Sequence, residues 1–160
     1  MTSSSPKARG LGLKAGVVAA LSFVAGAAAY AELTPWKDYT ISDAVWYVTT
    51  IKVEPNMQDV YLEGLKNGWV ASVETSRKLG HIEEWRIFTS STPASGDFNL
   101  VLLVKFKNAA AMAPSKERFD AYMKAVGEAA DKQRTEHARK AYPAIRKITG
   151  DYVMREITLK

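Results

Sequence analysis

The chain has 160 residues, with 22 Lys or Arg against 17 Asp or Glu, and it contains no cysteine. The lack of cysteine excludes disulfides, a thiol nucleophile and thiolate metal sites. Three of the cations, Lys7, Arg9 and Lys14, lie in a leader without acids. The remainder is therefore nearly neutral, and we expect no nucleic-acid binding, which would need a clustered basic face.

Residues 1–31 are typical of a secretory signal peptide. The basic start is followed by a small and apolar run from Ala15 to Ala31 that ends Ala-Tyr-Ala, which is the pattern of a cleavage site. A membrane anchor is the alternative, but a spanning helix needs about 20 apolar residues, and this run is shorter and only weakly hydrophobic. We expect cleavage after Ala31 or Ala29, a periplasmic or secreted protein, and no stable membrane span after cleavage.

The mature chain begins with a polar segment, residues 32–43, for which we expect a flexible lead-in, and residues 44–160 should form one domain. Ala44–Glu54 is the clearest strand, because β-branched and aromatic residues dominate it and Pro55 stops it. Alternation along this strand places Tyr47 and Trp46 on opposite faces.

A helix is predicted for Met57–Leu79, since Tyr61, Leu65, Trp69 and Val73 recur at helical spacing. Gly64 and Gly68 lie four residues apart within it. Each costs about 1 kcal/mol relative to alanine, so we interpret the pair as a place where another backbone approaches closely.

Two strands follow, Ile82–Ser90 and Phe98–Lys107, joined by a loop with turn residues. A long helix is predicted from Ser115 to about Lys140, with a buried stripe, and Gly150–Asp151 should form a turn before a last strand, Tyr152–Leu159. The stripe consists of Phe119, Tyr122, Met123, Val126 and Ala130.

The resulting order, β-α-β-β-α-β, predicts an α+β fold of the ferredoxin-like type: an antiparallel sheet with two helices on one face. Both sides of the Phe98–Lys107 strand are apolar, which indicates burial on both faces. One monomer cannot cover both, so we expect a homodimer.

In layout the mature chain resembles the dimeric α/β-barrel superfamily, which includes antibiotic-biosynthesis and haem-degrading monooxygenases. The resemblance rests on the order of elements and on no signature motif. It implies two sheets paired into a barrel and a small ligand bound between sheet and helices. Haem-degrading members use an Asn, Trp and His set. This chain has Asn56, Trp69 and His81, but Asn56 lies past its strand and His81 precedes the second strand, so these roles are not transferred.

Few residues indicate chemistry. His81, with Glu83 and Glu84 close by, has the composition of a metal site or a base, but an ordinary loop histidine explains the same pattern. Glu84 and Arg86 share a strand face with Phe88, where they would orient a polar group in a pocket or form an ion pair. Three tryptophans, Trp46, Trp69 and Trp85, would line an aromatic pocket or pack in the core and dimer contact.

The candidate ligand-binding residues are therefore Trp46, Tyr47, Trp69, His81, Glu84, Trp85 and Arg86. No residue is assigned a catalytic role, and neither a metal nor a cofactor is expected.

Three functions remain open at this point. The first is an exported protein that binds a small apolar or aromatic ligand. The second is a cofactor-free monooxygenase or isomerase of the same fold, which would need a polarising donor such as His81, Arg86 or Tyr47. The third is a structural or interaction module of the cell envelope. An apolar cavity would favour binding, one with two or more convergent polar groups would favour the enzyme, and a solid interior would favour the module.

Overall fold

A computed structural model describes residues 32–160; the predicted signal peptide, residues 1–31, lies outside the described residues. The strands are β1 (Tyr39–Ile41), β2 (Val45–Val53), β3 (Glu84–Thr89), β4 (Leu100–Phe106), β5 (Arg146–Met154) and β6 (Ile157–Leu159). Four of them form the main antiparallel sheet in the order β3-β4-β2-β5. With helices between β2 and β3 and between β4 and β5, this is the ferredoxin-like strand order, and the fold class that the sequence predicts is confirmed.

The first helical connection is a single run with three parts: α1 (Gln58–Leu65), a π-helical segment (Lys66–Val70) and α2 (Ala71–Lys78). The predicted close approach at its glycines is correct in place but wrong in kind, because a side chain and not a backbone fills the space. A Cβ on Gly64 would lie 3.0 Å from the Tyr142 hydroxyl. The absence of a side chain at Gly64 therefore lets the Tyr142 ring pack against this helix.

The second connection is not the one long helix that the sequence predicts. Gly127, with φ of +82°, separates α3 (Lys116–Val126) from α4 (Glu128–Ala141). The predicted buried stripe is only partly correct: α3 packs against α2, Tyr122, Met123, Val126 and Ala130 are half-buried, and Phe119 remains 61% exposed. A positive φ favours glycine, and the helix ends there. The C-terminal part of α4 then packs against the core through Ala138 and Ala141.

The chain ends of the described region also differ from the prediction. Within the expected flexible lead-in, β1 forms and pairs antiparallel with β6 in a separate two-stranded sheet. The predicted last strand is two strands, and β5 runs straight through the expected turn at Gly150–Asp151. The extra residue of β5 is taken up by a bulge opposite Thr50 and Ile51.

The core lies between the sheet and α1, the π segment and the C-terminal end of α4. Its buried members are Ile51, Val53, Tyr61, Leu65, Leu100, Leu102 and Tyr142. The other side of the sheet, which we call the open face, carries none of the helices of residues 32–160. None of these helices has the length and apolar composition needed to span a bilayer.

Candidate functional site

A cleft of about 270 Å³, here called the inner cleft, opens between the sheet and the helices. Aliphatic and aromatic side chains form most of its walls, and the polar groups lie on β2 and β5. The apolar members are Ile51, Leu65, Trp69, Leu102 and Ile148, and the polar and phenolic ones are Tyr47, Thr49, Tyr61, Tyr142, Arg146 and Asp151. An apolar cavity with a few placed polar groups is the usual form of a small-molecule site.

Two tyrosines and an arginine form the floor of this cleft. The rings of Tyr61 and Tyr142 meet edge to face, with centroids 5.1 Å apart. The Arg146 guanidinium carbon lies 5.5 Å from the Tyr61 ring centre and 4.9 Å from that of Tyr142. Arg146 begins β5 opposite Val53, so sheet register brings its side chain to the two rings. Both rings contact the cation through their negative faces.

The Arg146 guanidinium has a hydrogen-bond donor without a partner in the part of the chain that the structure describes. Its Nε is buried and has no hydrogen-bond partner among residues 32–160. Burial raises the pKa of Tyr61 to about 12, although the cation of Arg146 opposes the shift, and burial raises the pKa of Tyr142 in the same way. Both phenols are therefore neutral near neutral pH, and the Arg146 charge is not cancelled by either ring.

The rim of the cleft on β2 and β5 is polar. Thr49 donates its hydroxyl to Asp151 at 2.6 Å between the two oxygens. Desolvation and the neighbouring Asp151 carboxylate raise the pKa of Tyr47, whose side chain is 37% exposed. The Tyr47 hydroxyl therefore stays protonated and can act as a hydrogen-bond donor toward the cleft.

A second cavity of about 920 Å³, here called the outer groove, lies between two helical elements. One side is α4, and the other is α1 together with the π segment. The outer groove meets the inner cleft at Trp69, Tyr142 and Arg146, which line both. Arg134 of α4 enters the outer groove, and its Nη1 is buried without a hydrogen-bond partner among the described residues. The two cavities thus share a boundary that carries an arginine.

Three of the residues that the sequence singled out lie on the helix-covered side of the sheet. Tyr47 and Trp69 line the inner cleft. Trp85 packs edge to face on Trp69 at 5.7 Å and donates its Nε1 proton to Glu74 at 2.5 Å. Trp85 therefore supports Trp69 from behind rather than lining the cavity itself.

The remaining ones lie elsewhere. Trp46, Glu84 and Arg86 are on the open face, so the pocket formed by Trp46 together with Trp69 and Trp85 does not form: the sheet separates them. Arg86 pairs with Glu84 at 2.5 Å and stacks over Trp46 at 5.3 Å. His81 is in the loop before β3, half-buried, and lines neither cavity. Among residues 32–160 no three histidines or acids are grouped to hold a metal ion.

Sequence reasoning missed Tyr142, Arg146 and Asp151. Tyr142 follows a segment with the composition of a solvated helix, and Asp151 comes after a glycine in a pattern typical of a turn. Only the pairing of β5 with β2, which joins segments distant in sequence, brings Arg146 and Asp151 to the cleft. Tyr61 belongs to the predicted helical stripe, but that signal marks packing rather than a site.

No protein-family model and no curated protein matches this sequence. Solved structures do match. A NIPSNAP-family protein of unknown function from Agrobacterium tumefaciens is 14% identical, with 77% of this chain and 95% of that chain covered and a TM-score of 0.46. HapK from Hahella chejuensis is 13% identical over 70% of this chain and 91% of that chain, with a TM-score of 0.44.

A dimeric protein of unknown function and ferredoxin-like fold from Bacteroides fragilis is 10% identical, with 76% of this chain and 100% of that chain covered and a TM-score of 0.38. These likenesses add nothing to the ferredoxin-like layout, which the strand order of this chain shows by itself.

Proposed function

We propose that this chain is an exported protein that binds a small, apolar or aromatic molecule in the inner cleft. The observation that carries the proposal is the cleft itself: about 270 Å³ between sheet and helices, with Trp69, Leu102 and Ile148 on its walls. A concave, largely apolar surface with a few placed polar groups is the usual form of a small-molecule site. The basic and apolar leader, residues 1–31, supports export.

The proposed assembly is a homodimer through the open face. Phe88, Tyr152 and Met154 on that face are 51%, 51% and 55% exposed, and Val101 and Leu103 lie beside them on β4. An apolar sheet face of this kind is costly to leave in water. A second copy of the same face is a self-complementary partner, as two-fold symmetry requires.

Phe88→Glu tests the dimer. We expect sedimentation to find the wild type as a dimer and this variant as a folded monomer, because a buried, unpaired carboxylate is strongly unfavourable. Phe119→Glu is the matched control, since Phe119 is 61% exposed but lies on α3, away from the sheet. A dimer that survives Phe88→Glu, or a wild type that is monomeric at micromolar concentration, would overturn this part of the proposal.

A cofactor-free enzyme of the same fold is the second candidate, and the criterion of two or more convergent polar groups favours it. Binding is placed first because any reaction in the cleft also requires it. Tyr47, Arg146 and Asp151 converge on the same cleft, which is the pattern expected for a polarising site. Tyr47 supplies a protonated donor, and the Asp151 carboxylate lies next to it. Recovery of a chemically altered ligand after incubation under air would favour this candidate, whereas unaltered recovery would favour binding alone.

The first experiment is native mass spectrometry of protein purified from the periplasm of its own host. We expect a mature mass without residues 1–31 and a dimer that carries a co-purified small molecule. Ile148→Trp should block the cleft from a position that is 47% exposed and therefore tolerant of a larger side chain. Ile157→Trp is the control, because Ile157 is 58% exposed, lies on β6 and lines neither cavity. Loss of ligand in both variants, or in neither, would contradict binding at the inner cleft.

A further inference from the structure

The boundary between the inner cleft and the outer groove holds a cation. Arg146 lines both cavities, and its guanidinium carbon lies 5.5 Å from the Tyr61 ring centre and 4.9 Å from that of Tyr142, so contacts with two rings position it. The Tyr142 ring in turn packs closely against the helix at Gly64, where a Cβ would be 3.0 Å from the Tyr142 hydroxyl. A planar cation that is already oriented loses little entropy when it binds a partner.

Arg134 is the second cation in the same groove. One nitrogen of each arginine, Arg134 Nη1 and Arg146 Nε, is buried and has no hydrogen-bond partner within residues 32–160. Neither guanidinium forms an ion pair with a described residue, although Glu63 and Asp131 also line the groove. The two nitrogens are themselves closed to solvent, but both arginine side chains line the groove, and two cations on one cavity without an ion-pair partner among the described residues favour an anionic ligand there.

The chemistry of that acceptor follows from the donors. A guanidinium matches the geometry of an oxyanion, carboxylate or phosphate, through parallel N–H donors. Trp69, on the boundary next to Arg146, and the apolar wall of the inner cleft would accept the body of the same molecule. Polar and apolar recognition therefore meet at one boundary, formed by the three residues that line both cavities.

We propose that the ligand is an amphipathic anion, whose oxyanion group binds Arg146 and Arg134 at the outer groove while its apolar body enters the inner cleft. This inference rests on the proposed binding function and names the class of ligand. It gives these two arginines a role that Arg86 on the open face does not share, because Arg86 already has the Glu84 carboxylate as a partner at 2.5 Å.

Two fluorescent probes test it, since they share an apolar body and differ in charge: 1-anilinonaphthalene-8-sulfonate is the anion and N-phenyl-1-naphthylamine the neutral form. We expect the mature dimer to bind the anion about ten- to a hundredfold more tightly, which is the usual effect of a charge-assisted hydrogen bond. Arg146→Met should abolish this preference with little change for the neutral probe. Arg134→Met should reduce the preference, and Arg118→Met, the matched arginine control on α3 and outside both cavities, should leave it unchanged.

Binding of both probes with equal affinity would overturn the anion inference and leave the binding function standing. Binding of neither would overturn the binding function and the inference together. If Arg146→Met does not fold, Arg134→Met on the surface helix α4 carries the test, and an unaltered preference there would count against the two-arginine site. Displacement by 1-naphthoate, 1-naphthyl phosphate and neutral 1-naphthamide then identifies the oxyanion, and equal displacement by the amide would refute it.

Discussion

The two helical glycines provide a matched pair of substitutions with opposite expected signs. Alanine stabilises a helix interior by about 0.5–1 kcal/mol relative to glycine. At Gly68 the new Cβ would be 3.8 Å from the Tyr142 hydroxyl, an ordinary contact, so Gly68→Ala should be stabilising. At Gly64 it would be 3.0 Å from that hydroxyl and 3.1 Å from a ring carbon. Overpacking of this kind costs about 1–3 kcal/mol.

Tyr142 has little room to retreat, because it is only 8% exposed and its ring packs against Tyr61. We therefore expect Gly64→Ala to be less stable than Gly68→Ala by about 1–3 kcal/mol, which corresponds to about 4 °C in midpoint temperature per kcal/mol. Urea unfolding followed by far-ultraviolet circular dichroism and by tryptophan fluorescence measures the difference. A Gly64→Ala protein as stable as Gly68→Ala would refute the claim that Tyr142 is fixed against this helix.

Three further predictions concern stability. Asn99→Ala should cost about 2–3 kcal/mol, because the buried Asn99 amide exchanges two hydrogen bonds with the Val53 backbone, at 2.8 and 2.9 Å; a loss below about 0.5 kcal/mol in urea unfolding would contradict this. The pKa of Glu74 is lowered by hydrogen bonds, first from Arg77 and then from Trp85. The free energy of unfolding should therefore fall as pH drops below about 4. Glu74→Gln should weaken this dependence on acid pH, and an unchanged dependence in the variant would contradict the prediction. Because the pKa of Tyr61 is raised from 10.0 to about 12, its contribution to stability is complete below about pH 10 and is lost as pH rises toward 12. Tyr61→Phe should reduce this alkaline loss, and a folded wild type in which all tyrosinate absorbance develops with a midpoint near pH 10 would contradict the prediction.

The local sequence pattern was enough to predict the strands and helices in which apolar and polar residues recur at a regular spacing. The faces of β2, with Tyr47 and Trp46 on opposite sides, follow from a period of two residues, and the register with β4 agrees. The stripe that contains Tyr61 and Trp69 likewise follows from helical spacing. Which face of a strand is buried can therefore be predicted without knowing its partner strand.

The site depends on features that local pattern does not contain. Arg146 reaches the cleft because β5 begins at this residue rather than at the predicted start, Tyr152. Gly150 lies within β5, and the Tyr152 ring covers it, since a Cβ there would be 2.5 Å from the Tyr152 hydroxyl. A glycine that makes room for a neighbouring ring cannot be told from a turn glycine by sequence alone.

The pairing of β1 with β6 has a consequence for the order of folding. Tyr39 lies opposite Leu159, so the two strands come from opposite ends of the described region, and this small sheet can close only after nearly all of that region has been synthesised. Contacts between such distant segments form late, because a long loop must be closed first. A chain that passes through a membrane while still unfolded would keep its first strand unpaired until β6 has also crossed, so this sheet would close only once residues 39–159 are all on the far side.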